Sequence, residues 1–275
     1  MHLGIACLFV VAMYSVVDCA AAAQTALVSA TSGDLPIILS APHGGKEALP
    51  GVSQRQGGGV ARFSTGRDTR TDDLADLVAA EFEKNFHAKP FAVIARFERK
   101  YVDVNRPSHA AFESDRGKSH YDGYHGALSD IIRRVRERWG SGLLLDLHGE
   151  GSDADAIYRG TQNGKTVRSL MQRFGPAAVN GKQSVLGQMA KLGYKVLPGP
   201  GAEDGERRYV GGYIVQNYGS HQPAGIDAIQ LEFGANLRSR ANLDRTARDL
   251  ALAIEAFARE YLPAVKPDHA PRSAP

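Results

Sequence analysis

Five short apolar runs punctuate the chain, at residues 36–41, 91–97, 142–147, 194–197 and 228–233. Their hydrophobicity is continuous, the pattern of strands buried on both faces. Between them the period changes to that of a helix. Thr71–Phe86 places Leu74, Leu77, Val78 and Phe82 on one stripe, with Thr71 positioned to cap and Asp72 and Asp73 in the first turn, where the helix dipole favours carboxylates. Residues 123–139 repeat the logic with Leu128, Ile131, Ile132, Val135 and Trp139, and Leu243–Tyr261 does so with Leu250, Ile254, Phe257 and Tyr261. Strands alternating with helices predict an α/β fold: a three-layer domain with a mostly parallel or mixed central sheet and helices on both faces. Glycine-rich loops over 44–66, 107–121, 149–158 and 199–225 are long enough to carry function.

The ends read differently. Residues 3–17 form an apolar run too short to span a membrane, and Ala20 to Ala23 supply Ala-x-Ala cleavage sites. This predicts a signal peptide over 1–23, one domain over 24–265, a disordered Pro-rich tail over 266–275, and a secreted or periplasmic protein. Both cysteines, Cys7 and Cys19, fall in the leader, so the expected mature domain has no disulfide, thiol nucleophile or thiolate zinc site. A domain of roughly 240 residues buries enough apolar surface without such staples. The formal net charge is +3, and +4 without the leader, whose only charged side chain is Asp18. The basic residues are scattered, Arg133, Arg134, Arg136 and Arg138 reading as a solvated helix face, so neither nucleic acid nor a membrane surface is an expected partner once the leader is removed.

Candidate chemistry gathers where the apolar runs end, which in an open α/β sheet is where ligands bind. His43 follows IILSAP, His148 follows LLLDL, and Glu232 lies in IQLEFG. Two imidazoles and a carboxylate suit a metal-dependent hydrolase, because a catalytic zinc takes three protein ligands and keeps one position open. The third ligand is open between two residues. Asp68, just before the helix expected over Thr71–Phe86, is preferred, although its charge also suits a helix N-terminus; Glu47, four residues after His43, is the second choice. Glu232 sits in an apolar strand, where burial without a partner costs several kcal/mol, so it either pairs with an arginine or opens into the site as general base. Asp146, two residues before His148 and on the same side of the strand, orients a ligand, lines the site or caps backbone.

Asn105 and Arg106 end a strand-like segment, KYVDVNRPS. Pro107 holds Arg106 extended, and its planar fork suits a substrate carboxylate, with pairing to Asp103 or Glu98 as the structural alternative. Tyr213 and His221 are candidate site walls, with the core as the alternative for Tyr213 and the surface for His221, and His109, His120 and His125 are expected at the surface. RGTQNGKT has Arg159 where a phosphate-binding loop needs glycine, and there is no Gly-x-Ser-x-Gly elbow, which disfavours a serine hydrolase.

The ordered motifs APHGG, DTRTDDLA, VDVNR, LDLHG, GGYIVQNYG and IQLEFG resemble those of the N-formylglutamate amidohydrolase family, a branch related to zinc carboxypeptidases. The resemblance implies a carboxypeptidase-like α/β fold, a Zn2+ cofactor, and hydrolysis of an amide on an N-acyl amino acid. It implies His43, Asp68 and His148 as metal ligands, Glu232 as the catalytic base, and Asn105 with Arg106 as carboxylate binders. Gly44 and Gly149 depart from it, standing where members commonly carry Ser. The expected partner is a small molecule or short peptide with a free carboxylate. The alternatives are an exported zinc carboxypeptidase or cell-wall peptide hydrolase with the same centre, and a non-catalytic binding protein for acidic ligands.

Overall fold

The computed structural model describes residues 27–202 and 205–262, so the expected leader and tail lie outside the described residues. Seven strands form one sheet: β1 (Val28–Thr31), β2 (Ile37–Ala41), β3 (Phe91–Ala95), β4 (Leu143–Gly149), β5 (Ala156–Gly160), β6 (Lys195–Leu197) and β7 (Asp227–Phe233), in the spatial order β1-β3-β2-β4-β7-β5-β6. The central four, β3, β2, β4 and β7, run parallel. β1 joins β3 antiparallel, while β5 lies antiparallel to β7 and pairs parallel with β6, so the sheet is mixed. The helices are α1 (Thr71–Phe86), α2 (Ser108–Ala111), α3 (Asp115–Trp139), α4 (Arg168–Phe174), α5 (Ala177–Asn180), α6 (Val185–Lys191), α7 (Tyr213–Tyr218) and α8 (Leu243–Tyr261). Among the described residues no helix is long and apolar enough to cross a membrane.

The result is a three-layer α/β domain, and the period of two along each strand sorts its residues between the layers. On one face Ile37, Leu39, Leu143, Leu145, Leu147, Ile229, Leu231 and Phe233 pack against α1 and α8 through Leu74, Val78, Phe82, Leu250, Ile254 and Phe257. On the other, Ile38, Val93, Leu144 and Ala228 meet Tyr124, Leu128, Ile131 and Val135 of α3 and Ile214 and Val215 of α7. That second face changes character toward the carboxyl ends of the strands. Its alternate positions become Ser40 on β2, Asp146 and His148 on β4, and Gln230 and Glu232 on β7, all buried.

Several expectations are corrected. α3 begins at Asp115 rather than at 123, so most of the expected loop over 107–121 is helical. Gly123 and Gly126 cost helix propensity, but the buried faces of His120, Tyr121 and Tyr124 keep this end of the helix docked. His120 is therefore buried and His125 half-buried, where surface positions are expected from sequence. β1 and β5 are not anticipated by the apolar runs. Thr71 is the first helical residue and not the cap: Arg70 occupies the cap in left-handed backbone, φ 65°, and the Thr71 hydroxyl donates back to the Asp68 carbonyl at 3.0 Å. Residues 100–106 form turns rather than a strand, β3 having ended at Ala95.

Candidate metal centre

The parallel register brings His148 of β4 opposite Glu232 of β7, while His43 lies two residues beyond the end of β2. The loop that leaves His43 returns at Asp68, whose amide donates to the His43 carbonyl at 3.0 Å just before α1 begins. Four elements thus deliver four chemically competent groups to one edge of the sheet.

His43 Nδ1 lies 3.3 Å from Asp68 Oδ2, His148 Nδ1 lies 3.1 Å from the same oxygen, and the Gly149 amide donates to it at 3.1 Å. Each imidazole is held from behind by a fully buried carboxylate: His43 Nε2 lies 2.8 Å from Asp103 Oδ1, and His148 Nε2 lies 2.8 Å from Asp146 Oδ2. This is the outer-shell arrangement that fixes the ring and its tautomer in histidine metal sites. It turns both Nδ1 atoms toward Asp68. One donor atom from each of His43, Asp68 and His148 lies within 4.8 Å of the other two. Zinc distances of about 2.0–2.2 Å in a tetrahedron require donors roughly 3.3–3.5 Å apart. The 3.1 and 3.3 Å separations from Asp68 are close to that edge, so the residues fit a zinc ion. Glu47, the second-choice ligand, is exposed on the loop after His43 and is not in this group.

The electrostatics agree with a cation-ready centre. Burial alone would raise the Asp68 carboxyl, but hydrogen bonds from His148 and His43 hold it well below the usual carboxylate range. Burial would lower His148, yet the Asp146, Asp68 and Glu232 carboxylates lift it well above an ordinary imidazole. Burial likewise opposes ionisation of Asp103, and His43, Arg99 and Arg106 overcome it. Glu232 is the exception: burial dominates and pushes it up to about 6. Its Oε1 accepts from Gln230 Nε2 at 2.7 Å, and Gln230 Oε1 in turn accepts from the Gly212 amide at 2.6 Å.

These groups form the floor of a cleft of about 640 Å³ whose walls carry Arg62, Arg99, Arg106, Arg208, Tyr209 and Tyr213. Arg106 is tethered to the Asn105 and Arg62 carbonyls, both at 3.0 Å, and remains about one quarter exposed. Asn105 is buried; its Oδ1 accepts from the Ile214 amide at 2.8 Å, which anchors the start of α7, and its side chain packs against the His148 ring, Nδ2 lying 3.2 Å from Nε2. Tyr213, expected as a wall, opens α7 on the rim. A hollow of about 710 Å³ beside α3 lies away from this chemistry; its Arg133 is paired with Glu137 and Asp130.

No protein-family model and no curated protein matches this chain in sequence. Solved structures do match. N-formylglutamate amidohydrolase from Ralstonia eutropha superposes with a TM-score of 0.59 over 86% of this chain and 99% of that one, at 18% identity. The chain shares the fold of N-formylglutamate amidohydrolase. A gene product from Agrobacterium tumefaciens has a TM-score of 0.56 over 87% of this chain and 98% of its own, also at 18% identity.

Within that fold, two residues central to the geometry escape a reading of the sequence. Asp103 sits in VDVNR, where the sequence offers it only as a partner for Arg106; Arg106 Nε does lie 4.0 Å from it, but the fold also sets it behind His43. Arg238 is the other. Buried, it donates through Nε to the Phe233 carbonyl at 2.9 Å, through Nη2 to the Glu150 carbonyl at 3.2 Å, and through Nη1 to the Thr69 carbonyl. It clamps together the three segments that carry Glu232, His148 and Asp68. A Cβ on Gly149 would lie 2.4 Å from its guanidinium carbon, and one on Gly44 would lie 2.2 Å from the Asp72 amide nitrogen. A side chain at Gly44 would meet backbone and one at Gly149 would displace the Arg238 guanidinium, so both glycines suit the packing around the centre. The rejected phosphate-loop segment also has a structural role: its Thr161 and Asn163 amides bind the buried Glu206 carboxylate at 2.6 and 2.9 Å.

Proposed function

We propose that the chain is a zinc-dependent amidohydrolase that cleaves the amide bond of an N-acyl amino acid bearing a free carboxylate, of the N-formylglutamate kind. The observation that carries this reading is the convergence of the His43 and His148 Nδ1 atoms on Asp68, beside a buried Glu232, at the floor of an arginine-walled cleft. His43, Asp68 and His148 would hold the zinc ion, which when bound supplies a Lewis acid that acidifies water and polarises the amide carbonyl.

The protein's own groups supply the rest. Glu232, pushed up to about 6 by burial, is ionised at neutral pH yet basic enough to take a proton from water and return it to the leaving amine. Gln230 fixes one carboxylate oxygen and leaves Oε2 for that exchange. Arg106 is the preferred anchor for the substrate carboxylate, with Arg62 and Arg208 adding positive potential at the rim. Asn105 supports this wall by accepting from the first turn of α7. The leader expected over residues 1–23 supports a periplasmic or secreted site of action.

A peptide hydrolase with the same centre is the second reading, favoured by a cleft whose 640 Å³ leaves room beyond a formylated amino acid. Turnover of N-formyl and N-acyl acidic amino acids, their carboxamides and short peptides separates the two. Arg106→Met should lower kcat/KM for the carboxylate substrates by about 10²-fold, chiefly through KM, the scale of a lost charge-assisted hydrogen-bond pair. Equal turnover of an acid and its carboxamide by the wild type would refute carboxylate recognition.

A further inference from the structure

Behind His148 a chain of buried polar groups runs away from the cleft. Ser40 Oγ lies 2.8 Å from Asp146 Oδ1 and 2.7 Å from the Tyr124 hydroxyl, while Asp146 Oδ2 lies 2.8 Å from His148 Nε2. Ser40, Tyr124 and Asp146 are all fully buried, and none lines the cleft. Parallel pairing of β2 with β4 sets Ser40 directly beside Asp146, and α3 brings Tyr124 onto the same face.

The direction of every bond follows from counting protons. A serine hydroxyl has one proton to donate, and an ionised carboxylate can only accept. Ser40 therefore donates to Asp146, which leaves Tyr124 as the donor to Ser40. Burial, and after it the Asp146 charge, hold the Tyr124 phenol protonated well above its ordinary value, as that role requires. Asp146 then accepts from Ser40 on one oxygen and from His148 Nε2 on the other.

Asp103 behind His43 is held differently. It receives Arg99 Nε at 2.8 Å and the Asn105 amide at 3.0 Å, so its charge is shared with a cation. Asp146 is oriented instead by the neutral Ser40 hydroxyl on one oxygen and faces His148 with the other.

We propose that Tyr124 and Ser40 are positioning residues for the metal centre, fixing the Asp146 carboxylate so that His148 carries its proton on Nε2 and presents Nδ1 to the ion beside Asp68. This rests on the metal-dependent reading above. Neither residue touches substrate, so both act only through Asp146.

The test is zinc affinity, measured by chelator competition, together with ¹⁵N NMR of the His148 ring in the metal-free protein, for wild type, Ser40→Ala, Tyr124→Phe and the double variant. Ser40→Ala should weaken zinc binding roughly tenfold and Tyr124→Phe about threefold, at or below the low end for outer-shell partners. The double variant should be no weaker than Ser40→Ala, because Tyr124 works through Ser40. The His148 Nε2–H resonance should move in each. Ile131→Val, on the same face of α3 but outside the chain, should lower thermal stability and change neither readout. Unchanged zinc affinity with an unmoved His148 resonance in both single variants overturns the proposal, as do additive losses that merely follow thermal stability. A wild-type protein that binds no zinc refutes the metal-dependent reading instead, and the metal-free His148 resonances still decide whether the chain exists.

Discussion

The two faces of the central sheet are built from the same strands, yet one is a core throughout and the other turns into a site. Facing α1 and α8, β4 and β7 present Leu143, Leu145, Leu147, Ile229, Leu231 and Phe233. Facing α3 and α7, the intervening positions pass from Leu144 and Ala228 to Asp146, His148, Gln230 and Glu232. The apolar face fixes register, because a slip of one residue would exchange the two sets. The polar face uses that register to hold three titratable groups, Asp146, His148 and Glu232, at positions too costly to bury without pairing.

This contrast is broken most strongly by Glu232→Gln, which should lower kcat by 10²- to 10⁴-fold, the range for a lost general acid–base, while zinc stays bound. Leu145→Ala on the opposite face should do the reverse. It should cost about 2–5 kcal/mol of stability as a buried large-to-small change, read by denaturant unfolding, with zinc content and turnover per folded molecule retained. The smallest effect is the most discriminating. Burial raises the Glu232 carboxyl from 4.5 to about 6. The folded state therefore binds that proton more tightly than the unfolded chain, and the stability this gives is present below pH 4.5 and lost as pH rises through 6. Metal-free Glu232→Gln should accordingly be more stable than wild type by about 2 kcal/mol above pH 7 and equal to it at pH 4. A pH-independent difference would remove the desolvation explanation.

Much of this contrast is legible in the sequence. The five apolar runs mark the four parallel strands and β6, and IILSA, LLLDLHG and DAIQLEF already carry their polar residues at alternate positions near one end. His43, His148 and Glu232 stand out because each interrupts or terminates an apolar run. Asp68 is visible only as one of two carboxylates, since the choice against Glu47 depends on a loop of more than twenty residues returning to His43. β1 and β5 are missed because VSAT is half-exposed and AIYRG breaks its apolar run with Arg159 and follows an acidic turn. Arg238 is illegible for a different reason: the carbonyls of Thr69 and Glu150 that justify burying it lie 169 and 88 residues away. Local pattern reports which residues a strand exposes to each face; it carries no information about which distant cation or carboxylate will close the shell.

The most direct test is the zinc content of the purified wild type beside Asp68→Asn, measured by elemental analysis after equilibration with the same zinc buffer. A stoichiometry of about one zinc per wild-type chain and close to none in Asp68→Asn is expected for a three-ligand catalytic site. A wild type without zinc, or an Asp68→Asn protein that retains it in full, would contradict the centre formed by His43, Asp68 and His148.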